Sequence, residues 1–322
     1  MGSITSLIRR FFWIAVIFVW VLVAAISAAL GDELRIGTWK TAQTIAPFFY
    51  EKFMDAGVKV MIFPFTNPAD MKIALTAGSL EMCGTTIPYA IQAASRGEPL
   101  VVVASLCNKC SALVVGKHAD IRTTSDLRGK KIGYVPGTMH EVLLRETLTR
   151  AGLNPSKEVT LTRVDFFDMG TALARGSIDA FLSGEPFPSI AVVEGYGRIL
   201  SYPYYDDSIG AINAGMIVRR ETIEKNPNLV LRLITAHARA TEYLKKNPQE
   251  WLLKASEFGT PLKVLEQASS NMELEWKMDE SYIKRAMALG ERMKTLGLID
   301  RQPNYEELFD LNFVRQIKST TQ

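Results

Sequence analysis

From residue 34 onward, short apolar and β-branched runs alternate with helical stretches, and that alternation leaves few folds open to the chain. Residues 34–38, 58–63, 80–84 and 100–106 predict strands, and 44–56, 68–77 and 86–96 predict helices. Asn67 as cap, Pro68 in the first turn and Gly78 past the end give the second helix its start and stop signals. Strands joined through helices must run parallel, so the order implies a sheet with helices on its faces. A further strand at 111–117 ends this run. The alternation then restarts, with strands at 131–134, 159–164 and 178–183 around helices at 139–151 and 168–175. A strand at 214–219 closes the second run and resembles 111–117, each being an apolar run that ends in base. Two such strands suggest that the chain crosses to a second lobe at the first and returns at the second, with a hinge between. The predicted division is 32–117 plus 213–322 for lobe 1 and 118–212 for lobe 2. Beyond Arg220 the pattern is helical, and Leu229, Leu233, His237, Ala240 and Leu244 form one apolar stripe. A helix of that kind needs a surface to cover, so the C-terminal part is expected to complete lobe 1.

Length agrees with two lobes, because 322 residues exceed what one core usually organises. With 48% hydrophobic and 22% charged residues, disordered and disulfide-scaffold classes fall away. The net charge of +3 includes Arg9 and Arg10, and without them 35 basic residues face 34 acidic ones, so no nucleic-acid partner is indicated. Those two arginines precede an apolar run at 11–30 in which Ser27 is the only polar side chain, followed by small residues up to Gly31. That is the layout of a signal peptide over 1–31, cut between Ser27 and Asp32, and of periplasmic export. An uncleaved membrane anchor is the alternative, since about 20 apolar residues also span a bilayer.

Few motifs carry chemistry. Thr138 followed by Glu141 is a capping box, and a helix start of this kind can also offer free N–H groups to a ligand oxygen. Glu141 would oppose an anion there. His140-Glu141 begins a zinc-protease pattern, but Leu144 stands where the second histidine would be. His237, on an apolar stripe, is expected to be a core histidine. Cys107 and Cys110 are spaced to close a small loop, and an exported chain predicts a disulfide between them. The competing reading is a thiol-based metal or redox protein in which Cys83 joins them. Neither a phosphate-binding loop nor a nucleophile elbow is present, and the sequence calls for no cofactor.

Taken together in order, the stretches 71–100, 126–152 (DLRGKKIGYVPGTMHE and onward), 171–187 (ending GEPF) and 213–248 resemble one family, the periplasmic substrate-binding proteins of ABC importers. The resemblance is to the branch serving taurine, alkanesulfonates, nitrate and the thiamine pyrimidine. It implies a two-lobe α/β fold, type II-like, with crossover strands between lobes, the helical C-terminal part on the first lobe and a solute in the cleft. The partners it implies are a small-molecule solute and ABC permease and ATPase subunits at the inner membrane, with the receptor a monomer and not an enzyme. Carried over by position, the ligand-facing residues would be Trp39, Thr41, Thr85, Thr86, Thr138, His140, Glu185, Phe187 and Asn213. Strand ends are where open α/β sheets place ligands, which supports the set from geometry.

Two departures from the family pattern, Glu141 and the thiols at 107 and 110, point away from a simple oxyanion. The expected solute is small, neutral or amine-bearing and aromatic, held between Trp39 and Phe187 and hydrogen-bonded to Glu185. The thiamine-pyrimidine synthases resemble the same fold and consume an internal histidine. They work inside the cell and carry a cysteine-rich signature absent from this chain.

Overall fold

The computed structural model describes residues 33–66, 68–205 and 209–320, so the predicted leader and the Asn67 cap lie outside it. Two sheets organise the chain. The first contains β1 (Glu33–Trp39), β2 (Lys59–Phe65), β3 (Met82–Thr86), β4 (Leu100–Lys109), β10 (Ala214–Arg219) and β11 (Met272–Leu274), in the order β11-β4-β10-β3-β1-β2. The second contains β5 (Ser111–Gly116), β6 (Lys131–Tyr134), β7 (Thr160–Arg163), β8 (Ala180–Gly184) and β9 (Gly197–Ser201), in the order β7-β6-β8-β5-β9.

Within each sheet the helix-linked strands run parallel: β1 with β2 and β3, and β6 with β7 and β8. Strands arriving from the other unit run antiparallel: β10 against β3 and β4, β5 against β8. Helices α1 (Pro68–Thr76) and α2 (Ile87–Ser95) serve the first sheet; α3 (Met139–Arg150), α4 (Met169–Ala174) and α5 (Phe187–Val193) serve the second. The remaining helices are α6 (Arg220–Lys225), α7 (Pro227–Lys246), α8 (Pro248–Ser256), α9 (Leu262–Ser269), α10 (Glu280–Thr295), α11 (Tyr305–Leu308) and α12 (Asn312–Thr320). None of the described helices is long and apolar enough to cross a membrane.

The C-terminal helices cover the first sheet, as the amphipathic stripe demands. Leu233, His237, Ala240 and Leu244 of α7 are buried, while Leu229 is half-buried. Opposite them, the predicted helix at 44–56 is two tighter 3-10 turns, Ala42–Thr44 and Ala46–Phe53. Pro47 has no N–H to donate, and the Thr44 hydroxyl is drawn back to the Trp39 carbonyl at 2.9 Å, so the segment begins as local turns. His237 is a satisfied core residue, with Nδ1 2.9 Å from the Tyr50 hydroxyl and Nε2 2.7 Å from the Ser105 carbonyl.

The crossing point differs from the predicted one. By sheet membership β5 belongs to the second unit, so the chain leaves the first sheet at Lys109-Cys110 and not after Lys117. Both residues have left-handed backbone, φ 53° and 79°, which breaks the strand direction without a glycine to announce it. Neighbours hold them there. Asn213 Nδ2 donates to the Lys109 carbonyl at 2.7 Å, and the Cys110 N–H donates to the Asn271 carbonyl at 2.8 Å. The chain returns between β9 and β10. Thus β5 and β10, alike in sequence, lie in different sheets.

Candidate functional site

Where the ends of β1, β3 and β8 face the crossover, a cavity of about 490 Å³, its open mouth included, lies between the two sheets. From the first unit it is lined by Trp39, Thr41, Gln43, Thr44, Thr86 and Cys107, with Asn213 and Ala214 on the returning chain. From the second come Cys110, His140, Phe166, Phe167, Gly184, Glu185 and Phe187. Seven of the residues predicted from sequence therefore share one cavity wall. Thr85 and Thr138 do not. Thr85 is buried within β3, opposite Gly215 of β10. Thr138 spends its hydroxyl on the cap of α3, donating to the Val135 carbonyl at 2.8 Å and accepting from the Glu141 N–H at 3.4 Å. Glu141 is also turned away: it accepts from the Gly137 N–H and from Arg145, so its charge is compensated outside the cavity. It does not oppose a ligand there.

The electrostatics of the cavity come from Glu185. It is 1% exposed, and no lysine or arginine is among the described lining residues. Oε2 accepts from the Ser189 N–H at 3.2 Å and Oε1 from Asn271 Nδ2 at 3.3 Å. Burial raises its pKa, and the hydrogen bonds from Ser189 and Asn271 pull in the opposite direction. Three other lining side chains hold buried polar atoms with no hydrogen-bond partner among the described residues: the donor Trp39 Nε1 and the acceptors Gln43 Oε1 and Asn213 Oδ1. The Asn213 amide is oriented by its bond to the Lys109 carbonyl, which fixes Oδ1 as the free end. Buried polar atoms cost stability when left unpaired, so a set of them around one space marks where a ligand would repay the cost.

His140 forms part of the wall as a neutral ring. Burial holds its pKa down to about 4, and Nδ1 is 2.9 Å from the Ser111 hydroxyl. Phe166 meets it edge-on at 5.6 Å and stacks parallel to Phe187 at 6.2 Å. Gly184 permits this closeness: a side-chain carbon there would lie 2.9 Å from His140 Nε2 and 3.3 Å from Cys110 Sγ.

The expected disulfide is absent, and Cys83, Cys107 and Cys110 are free, buried thiols. Cys107 continues β4 opposite Ala214, whereas Cys110 lies beyond the left-handed turn and its Sγ accepts from Asn213 Nδ2 at 2.9 Å. Strand pairing on one side and the crossover on the other thus fix the two residues separately. Burial pushes the Cys107 thiol up to about 12 and raises Cys110 and Cys83 as well. Cys83 pairs with Ile217 on the far side of β10 from β4, so the three-sulfur site of the metal reading does not assemble. Among the described residues no group of three or more His, Cys, Asp or Glu converges as a metal site.

Gln43, Phe166, Phe167 and Asn271 escaped the sequence analysis. Phe166 and Phe167 follow β7 directly, so the strand-end rule could have found them. Asn271 carried no signal, as it lies in the helical C-terminal part, far along the chain from Glu185.

The fold has solved counterparts. The alkanesulfonate-binding protein of Xanthomonas axonopodis pv. citri, bound to MOPS, superposes with a TM-score of 0.77 over 87% of this chain and 98% of its own, at 19% identity. At that identity the likeness concerns fold alone. In sequence, a Haemophilus influenzae protein named for thiamine biosynthesis is 28% identical over 79% of this chain and 81% of its own length. A 4-amino-5-hydroxymethyl-2-methylpyrimidine phosphate synthase of Saccharomyces cerevisiae is 25% identical over 65% of this chain and 66% of its own. The family described as NMT1/THI5 like matches residues 50–251, a span that runs from the first sheet through the crossover, the whole second sheet and the return strand. On that match, and with the two-sheet architecture to support it, the chain belongs to the NMT1/THI5-like family.

Proposed function

We propose that this protein is an exported receptor that captures a small organic solute between its two α/β units and delivers it to an ABC import permease. Export rests on the leader at 1–31, and delivery rests on the resemblance of the sequence to the receptors of ABC importers. The solute is donor-rich, amine-bearing and flat. The observation that carries this is Glu185, a buried carboxylate in an aromatic-walled cavity whose described lining residues include no lysine or arginine. Gln43 and Asn213 add unpartnered acceptors on the same wall. A sulfonate or nitrate would meet a carboxylate in low dielectric and no compensating charge, whereas an ammonium or ring N–H would satisfy the acceptors.

Thr86 of the first unit donates to the Gly137 carbonyl of the second at 3.2 Å, so the two walls already touch beside the cavity. A ligand that contacts both walls favours the closed arrangement by its differential contacts. Native mass spectrometry of protein purified under mild conditions tests the reading. It should release a nitrogen-bearing solute of small mass, which rebinds and is recovered unchanged. A recovered sulfonate would overturn the ligand class. Conversion of the solute would instead favour the catalytic role that the synthase relatives' names carry.

A further inference from the structure

Asn271 is not among the residues lining the cavity, and it bonds to both chain segments that cross between the two units. Its backbone carbonyl accepts from the Cys110 N–H at 2.8 Å, and the Cys110 carbonyl accepts from the Glu185 N–H at 2.8 Å. Its side-chain amide donates to the Ser111 carbonyl and to Glu185 Oε1, both at 3.3 Å, while Oδ1 accepts from the Tyr204 hydroxyl at 2.6 Å. Tyr204 lies on the returning segment between β9 and β10 and accepts from the Ser111 N–H at 2.8 Å; its one hydroxyl proton has the Ser111 carbonyl at 3.0 Å as a second, longer acceptor. With Oδ1 facing the Tyr204 hydroxyl, the amide turns its N–H groups to the carboxylate. Asn271 is 8% exposed and comes from the link between α9, which packs on α5 of the second unit, and β11 of the first sheet.

We propose that Asn271 is a specificity-determining positioning residue: held by Tyr204 and the crossover, it donates to Glu185, keeps the carboxylate in place on the cavity wall and makes the cavity select an amine over an anion. The proposal rests on the solute-receptor reading of the cavity. Its physical basis is that an N–H donor stabilises the charged form of a carboxyl group, and among the described residues Asn271 and Ser189 supply such donors to Glu185. Among the described residues the titratable neighbours facing Glu185 are Cys110, Tyr202 and Tyr204, with His140 on the same cavity wall. Burial raises the first three above their ordinary values, lowers His140 to about 4 and raises Glu185.

The test uses the mature protein with 13C-labelled glutamate, the Glu185 carboxyl signal being assigned by its loss in Glu185→Gln. Benzamidine serves as the cationic aromatic probe and benzenesulfonate as its anionic counterpart. Asn271→Leu should raise the titration midpoint of Glu185 and weaken benzamidine binding about tenfold or more, the scale of one hydrogen bond to a charged group. Tyr204→Phe, which frees the amide to rotate while leaving it in place, should move both in the same direction by less. A midpoint unmoved in both variants would overturn the proposal and leave the receptor reading intact. Wild-type protein that prefers benzenesulfonate would overturn both. A protein that binds neither probe but shows the shifted midpoint retains the positioning role and refutes the amine reading.

Discussion

Two buried histidines sit in similar surroundings and mean different things. His237 in α7 and His140 in α3 are both nearly inaccessible, and burial lowers the pKa of each to about 4. Around His237 the protein supplies partners for both ring nitrogens. Around His140 it supplies Ser111 on one side and a cavity on the other, whose wall carries unpartnered polar atoms on Trp39, Gln43 and Asn213. A perturbed titration therefore does not distinguish a core from a site in this molecule. The balance of hydrogen-bond partners does.

The largest expected effect tests the half of the comparison in which the histidines agree. Each has a folded-state pKa of about 4 against 6.5 for the free side chain, so each contributes stability that is complete above pH 7 and is lost as pH falls from 6.5 toward 4. Urea unfolding at pH 7 and pH 5 should differ by about 2 kcal/mol for each histidine. Glu185 runs the other way. Its raised pKa means that it destabilises the empty protein once ionised, so its protonation on acidification offsets part of the loss. A flat stability profile across this range would show that the rings are not held neutral.

His237→Ala comes next, as it orphans the Tyr50 hydroxyl and the Ser105 carbonyl and opens a void. A loss of about 3 kcal/mol in unfolding free energy is expected, with solute affinity unchanged. Altered affinity would place His237 on the functional side of the comparison. Glu185→Gln should do the reverse: about a hundredfold weaker binding of an amine-bearing solute by calorimetry, together with a higher melting temperature at neutral pH because a buried charge is gone. A gain in sulfonate affinity without loss for amines would refute the assigned ligand charge. The smallest effect belongs to Cys110→Ser, about 1 kcal/mol or less, because Asn213 keeps its bond to the Lys109 carbonyl. Thiol counting in denaturant without reductant should find all three cysteines free, and a count of one would restore the disulfide.

Much of the fold could be read in the sequence because strand and helix periodicities are local properties. The βαβ order, the return strand at 214–219 and the stripe on α7 each follow from the spacing of apolar residues within a few turns. The family resemblance then supplied Trp39, Thr86, Glu185 and Asn213, positions that the strand-end rule supports because parallel strands finish on one side of a sheet. It also gathered Thr85 and Thr138, which share those loci but face strand neighbours and a helix cap. The rule gives positions along the chain, and side-chain direction is settled by pairing.

What the sequence by itself determined is the set of elements and their order, because each is fixed by propensities and patterns that act over a few residues. The tertiary structure alone decided where the chain crosses between sheets, since the left-handed backbone at Lys109-Cys110 is held by Asn213 and Asn271, residues more than a hundred positions away. It likewise decided that Cys107 and Cys110 are free thiols, that Arg145 takes the charge of Glu141, and that Asn271 donates to Glu185. These outcomes share a physical reason. Each depends on a buried polar group finding its partner across the fold, and that pairing has no period along the chain.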